Sequence, residues 1–131
     1  MIPEKQAAIE AIEAKRDVIT DVADHIWEYA ELSLQEEKSA ALYCEVLERE
    51  GFQVEKGICG IETAFSATYG SGRPLIGILA EYDALSGLSQ KAGSLIREEL
   101  VPGGCGHGCG HNLLGAGAMA AAIGIRAYLK Q

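Results

Sequence analysis

The chain has 131 residues, 48% of them apolar and 23% charged, which suits one domain with a core that needs no cross-links and excludes a disordered chain. Nineteen acidic residues against eleven basic ones give a net charge of −8 with no Lys/Arg cluster, so a nucleic-acid footprint is missing. No signal peptide opens the chain, and its most apolar run, 113–125, is short for a membrane span, so the expectation is a cytoplasmic protein with no membrane partner.

Residues 4–30 predict one long helix, with Ile9, Ile12, Ile19, Val22, Ile26 and Ala30 on its buried face. His25 and Trp27 lie on or near that face and read as packing or surface groups. "SLQE" predicts a capping box, Ser33 as N-cap and Glu36 reaching back, for a second helix that ends near Glu50 with Gly51 as its stop.

After Gly51 the period changes. "FQVEK", "ETAFSATY" and "PLIGILAEY" predict three strands separated by glycine-containing turns. The third is continuously apolar, the pattern of a strand buried on both faces. A Gly/Ser/Lys-containing loop, 86–104, follows, and Asn112 is placed to cap a last helix from Leu113 to about Leu129. The order predicts an α/β fold, a partial three-layer sandwich whose central sheet of at least three strands is flanked by helices. The last helix is apolar nearly all round and needs cover on most sides, more than the preceding elements offer. The expectation is the first part of a larger fold.

Chemistry concentrates in "PGGCGHGCGHN". In a cytoplasmic chain its thiols read as ligands rather than bridges. Cys109 and His111 are two apart, so in extended backbone they point the same way with Cα atoms about 6.6 Å apart. Both then reach one ion or two adjacent ions. A helix N-terminus directly after them favours a thiolate at Cys109. Cys105, His107, Cys109 and His111 span too much chain for a self-contained zinc finger, so further ligands are expected from elsewhere. Glu81 and Asp83, at the end of the third predicted strand, are the second polar focus. Their spacing aims both to one side, one to ligate a metal and the other to hold a ligand histidine by its second ring nitrogen. Cys44 and Cys59 read as ordinary thiols.

"GILAEYDAL … GHGCGHNLLG" resembles the metal-dependent amidohydrolases of the aminoacylase/carboxypeptidase family of metallopeptidases. Within it the likeness is to the branch of hippurate, auxin-conjugate and p-aminobenzoyl-glutamate hydrolases, and "IWEYAELSLQEEKSA" and "TAFSATYGSGRPLIGILAEYDALSGLSQKAG" extend it over almost the whole chain. The resemblance implies that Cys109 and His111 are metal ligands and that Asp83 is the acid orienting the site. His107 and Glu81 are placed around them. It further implies two divalent ions, zinc or manganese, and hydrolysis of an N-acyl amino acid amide by activated water, with a downstream glutamate as base. Ser86 replaces the usual proline after Asp-Ala-Leu, Glu81 stands where other branches carry a histidine, and Cys105 is an extra thiol. Residues 1–131 therefore read as the N-terminal portion of a catalytic domain without its lid or dimerisation domain. Alone such a portion is expected to be inactive. The alternative reading is a non-enzymatic metal-binding or subunit-interaction module that pairs with another chain, as a homo- or hetero-oligomer.

Overall fold

The computed structural model describes residues 2–130. The helix expected over 4–30 is two helices, α1 (Pro3–Glu13) and α2 (Arg16–Tyr29). Lys15 leaves helical geometry at φ −109°, ψ 11°, and its ammonium reaches the Glu50 carboxylate at 2.6 Å. A straight helix of that span would run for ~40 Å at 1.5 Å per residue. The break lets both pieces lie along the shorter last helix instead, and it leaves Ile9 exposed while Val22 and Ile26 are buried.

α3 (Glu37–Arg49) starts without the expected capping box. Ser33 makes no cap. Glu31, from the end of the preceding turn, takes that role: its carboxylate accepts the Lys38 and Ser39 amides at 3.0 and 2.9 Å and the Ser39 hydroxyl at 2.7 Å. An anion at a helix N-terminus meets both the unpaired amides and the dipole. Glu36 is instead buried, accepting the Thr63 hydroxyl at 2.9 Å. Gly51 stops the helix as expected, at φ +86°.

β1 (Gln53–Lys56) and β2 (Phe65–Thr68) pair antiparallel, Gln53 opposite Thr68 and Lys56 opposite Phe65. The third expected strand does not form. Residues 75–80 have no ladder partner among the described residues, and Leu75, Ile76 and Leu79 are 78%, 77% and 94% exposed. A run with the composition of a buried strand becomes one only where neighbouring strands take its N–H and C=O groups. The fold is thus α/β, with four helices and a two-stranded sheet among the described residues.

α4 (His111–Leu129) is the longest element. By length and a mean hydropathy of 1.3 it would suffice to cross a membrane, but one face lies against α1 and α2. There Met119 and Ile123 join Val22, Ile26, Tyr43, Val46, Leu47 and Phe52 in the core. Gly124 admits Ile12: a methyl group there would stand 2.9 Å from the Ile12 Cδ1. The cover expected on most sides is confined to this face. Leu113, Leu114, Ile125 and Leu129 remain exposed.

Candidate metal centre

Asp83 and Glu81 belong to a segment held at its far end. The Ala84 amide donates to the Glu31 carbonyl at 2.7 Å, and Leu85 exchanges backbone hydrogen bonds with Gly106 at 2.9 and 3.0 Å. These bonds join 84–85 both to the turn after α2 and to the Cys/His stretch. Tyr82 points the other way. Its ring packs against Tyr43 and Phe65, with centroids 5.2 and 6.0 Å away, and its hydroxyl donates to the Thr63 carbonyl. Burial pushes its phenol pKa up. With Tyr82 anchored inward, the residues on either side of it share the opposite face.

The other wall is the first turn of α4. Gly110, at φ +76°, turns the chain into the helix, and its carbonyl accepts the Leu113 and Leu114 amides at 3.0 and 3.1 Å. Asn112 is therefore not the expected cap. It lies inside the first turn, buried, and its side-chain amide donates to the Ala23 carbonyl at 3.2 Å, tying α4 to α2.

His111 is brought between the two acids. Its Nδ1 lies 2.7 Å from the Asp83 Oδ1 and its Nε2 lies 3.1 Å from the Glu81 Oε2. One ligand atom from each of the three residues falls within 4.8 Å of the others. The His111 and Asp83 side chains are 16% and 23% exposed, while Glu81 is 65% exposed. Donation from Nδ1–H to Asp83 leaves the Nε2 lone pair free, the tautomer a metal-binding imidazole needs. Two donors on one tetrahedral ion at ~2.1 Å stand ~3.4 Å apart. The Glu81–His111 spacing therefore fits one divalent ion held between them.

Cys109 is exposed, and its sulfur lies outside this group. His107 is turned away into the fold: its Nε2 lies 2.9 Å from the Ile26 carbonyl oxygen, which can only accept, so Nε2 carries the proton. Its Nδ1 is buried without a partner, and burial pushes its pKa down. Cys105 is half-buried, and Cys44 is buried with its thiol pKa pushed up by burial. His25 contacts Asp21, whose backbone oxygen raises its pKa, and takes no part in the group. The residues that sequence reasoning missed are the supports: Glu31, Tyr43 and Gly115. For Gly115 a signal existed, a glycine in a helical run one turn after a candidate ligand.

From the three-residue group an open cleft of about 990 Å³ runs between β2, residues 75–80 and α4. Leu75, Ile76, Leu79, Ala122 and Leu129 give it an apolar lining.

No family model matches the chain. It is 48% identical over 122 residues, 93% of its length, to one of the subunits of p-aminobenzoyl-glutamate hydrolase from Escherichia coli (strain K12). It is 28% identical over 139 aligned positions, 96% of its length, to Xaa-Arg dipeptidase of Homo sapiens. The likeness to the p-aminobenzoyl-glutamate hydrolase type that the motifs carry is thereby borne out. The chain spans 25% and 28% of the lengths of these two relatives.

Proposed function

We propose that this chain supplies part of the metal site of a hydrolase that cleaves the amide bond of an N-acyl or N-aroyl amino acid, p-aminobenzoyl-glutamate in class. The observation that carries it is His111 held between Asp83 and Glu81, in a chain 48% identical to a p-aminobenzoyl-glutamate hydrolase subunit. His111 binds through Nε2, Asp83 accepts the Nδ1–H hydrogen bond and aims the ring, and the exposed Glu81 carboxylate closes on the same ion. Cys109, with glycines on both sides, swings in from the surface to give a thiolate. A zinc or manganese ion held by these residues would supply Lewis-acid polarisation of the amide carbonyl and a more acidic bound water.

The complete site holds two divalent ions. One imidazole, one carboxylate and one thiolate are too few for both, so the isolated chain binds metal without appreciable turnover. In the assembled enzyme the run 75–80 is the central strand of a three-layer sandwich. Metal content after purification without chelator tests this. Near-stoichiometric zinc or manganese, lost in His111→Ala, is the expected result; a metal-free protein in both forms overturns it.

A second reading is favoured by the exposure of Leu75, Ile76, Leu79 and Leu129, which line one cleft. Such a contiguous apolar surface marks an interaction site, and the bacterial relative is itself named as a subunit. In this reading the chain is an interaction module that joins a partner chain. Light scattering at rising concentration, with an apolar dye, tests it: a monomer that leaves the dye dark overturns it.

A further inference from the structure

Gly115 stands one turn after His111 on α4, about 6 Å further along the same face. It is buried, and a methyl group built on it would overlap the Tyr43 hydroxyl. The same methyl would stand 3.0 Å from the Tyr43 Cζ and 3.0 Å from the backbone oxygen of Glu81. Tyr43 is 2% exposed, and its hydroxyl has no hydrogen-bond partner. Its ring also packs on Tyr82, the residue between the two acids. One buried ring therefore touches the helix that carries His111 and the segment that carries Glu81 and Asp83.

We infer that Gly115 and Tyr43 are positioning residues that set the distance between α4 and residues 81–83, the distance at which one imidazole spans both carboxylates. This rests on reading those three residues as a metal site. Among the described residues no ladder holds the segment before Ala84, so, beside the Tyr82–Thr63 and Asp83–His111 hydrogen bonds, its separation from α4 comes from packing. Backbone can approach a helix this closely only where a Cβ is missing. A side chain at Gly115 would have to displace either the Glu81 backbone or a ring already wedged between Phe65 and Tyr82. Either shift moves the acids away from His111. Gly117, two residues on, is a built-in comparison, because a methyl group there meets nothing within 4 Å.

The test uses the full chain and two readouts. The first is the Nδ1 proton resonance of His111 in metal-free protein, assigned by its loss in His111→Gln. The second is zinc affinity by competition with a chromophoric chelator. Gly115→Ala is expected to abolish the hydrogen-bonded resonance and to weaken zinc about 10-fold or more, the size of effect seen when the groups that orient metal ligands are lost. Gly117→Ala is expected to change neither. Adding Tyr43→Phe to Gly115→Ala removes the nearest obstacle and is expected to recover part of both.

A folded Gly115→Ala that keeps the resonance and binds zinc within about twofold of wild type, inside the 10-fold criterion, overturns the inference. So does failure of both Gly115→Ala and the double variant to fold while Gly117→Ala folds. The space over Gly115 would then serve the core and not the site. If the resonance responds as expected but no form binds zinc, the positioning role stands and the metal reading falls.

Discussion

Asp83 and His111 lie 28 positions apart in sequence and 2.7 Å apart in space, and both side chains are largely sheltered from water. The hydrogen bond gives Nδ1 to Asp83 and leaves Nε2 as the nitrogen that would meet a metal, so in the proposed site Asp83 would act through His111 and not as a ligand. Asp83→Asn keeps the shape and removes the charge. The expected outcome is a 10- to 100-fold loss of zinc affinity, with urea unfolding changed by at most about 1 kcal/mol. An affinity equal to that of wild type would remove Asp83 from the site.

Glu81 and Cys109 separate two pictures of the ligand set. Glu81 already faces Nε2, whereas the Cys109 sulfur must move inward. Cobalt(II) reports both, because a thiolate ligand adds a near-ultraviolet charge-transfer band to the visible ligand-field bands. The band is expected in wild type and absent in Cys109→Ser, which keeps visible bands. Glu81→Gln is expected to lose most cobalt binding. A wild type that binds cobalt without the near-ultraviolet band would rule out Cys109 as a ligand.

Glu50 holds the far side of the fold. It is 7% exposed, its carboxylate meets Lys15 at 2.6 Å and Arg126 at 2.7 Å, and its backbone oxygen accepts from Arg126. Removing the acid strands a largely buried guanidinium between α1, α3 and α4. Glu50→Gln is therefore expected to cost about 3 kcal/mol, the low end for breaking a buried pair because Lys15 keeps access to water. A shift in urea midpoint equivalent to under about 1 kcal/mol, the size of a surface pair, would contradict this.

Cys44 is 1% exposed and its thiol pKa is pushed up, first by burial. The thiolate is the reactive form, so both effects slow reaction. At pH 8 Cys59 and Cys109, both exposed, should react with an aromatic disulfide at once, while Cys44 waits for unfolding. Mass spectrometry of the labelled native chain checks which thiols carry label. Early label on Cys44 would show that α3 opens readily.

The elements whose evidence is local were legible in the sequence. Gly51 ends α3 because a positive φ is a property of the residue itself. The buried Val22 and Ile26 of α2 follow from helical period, and β1 and β2 from two short β-rich runs, though their antiparallel pairing was not read from the sequence. Glu81, Asp83 and His111 were readable as candidates, because acids two apart and a histidine beside a thiol are unusual chemistry to group by chance; Cys109, read as the partner ligand of His111, lies outside the group.

Tertiary structure decided what depends on a neighbour. Whether "PLIGILAEY" is a strand depends on which backbone lies alongside it, and among the described residues none does. The Ser33 capping box does not form because α3 begins only at Glu37, where the Glu31 carboxylate, from outside the motif, meets the Lys38 and Ser39 amides. Asn112 left the cap for the Ala23 carbonyl, a partner 89 positions away. The spacing of the two acids predicted two roles and the resemblance gave Asp83 the orienting one, but only the fold shows which nitrogen each acid meets, Asp83 at Nδ1 and Glu81 before Nε2. Composition and spacing determine which groups can do chemistry. Their assignment to particular atoms is set by the distance at which α4 stops against residues 81–83, and packing across the whole chain fixes that distance.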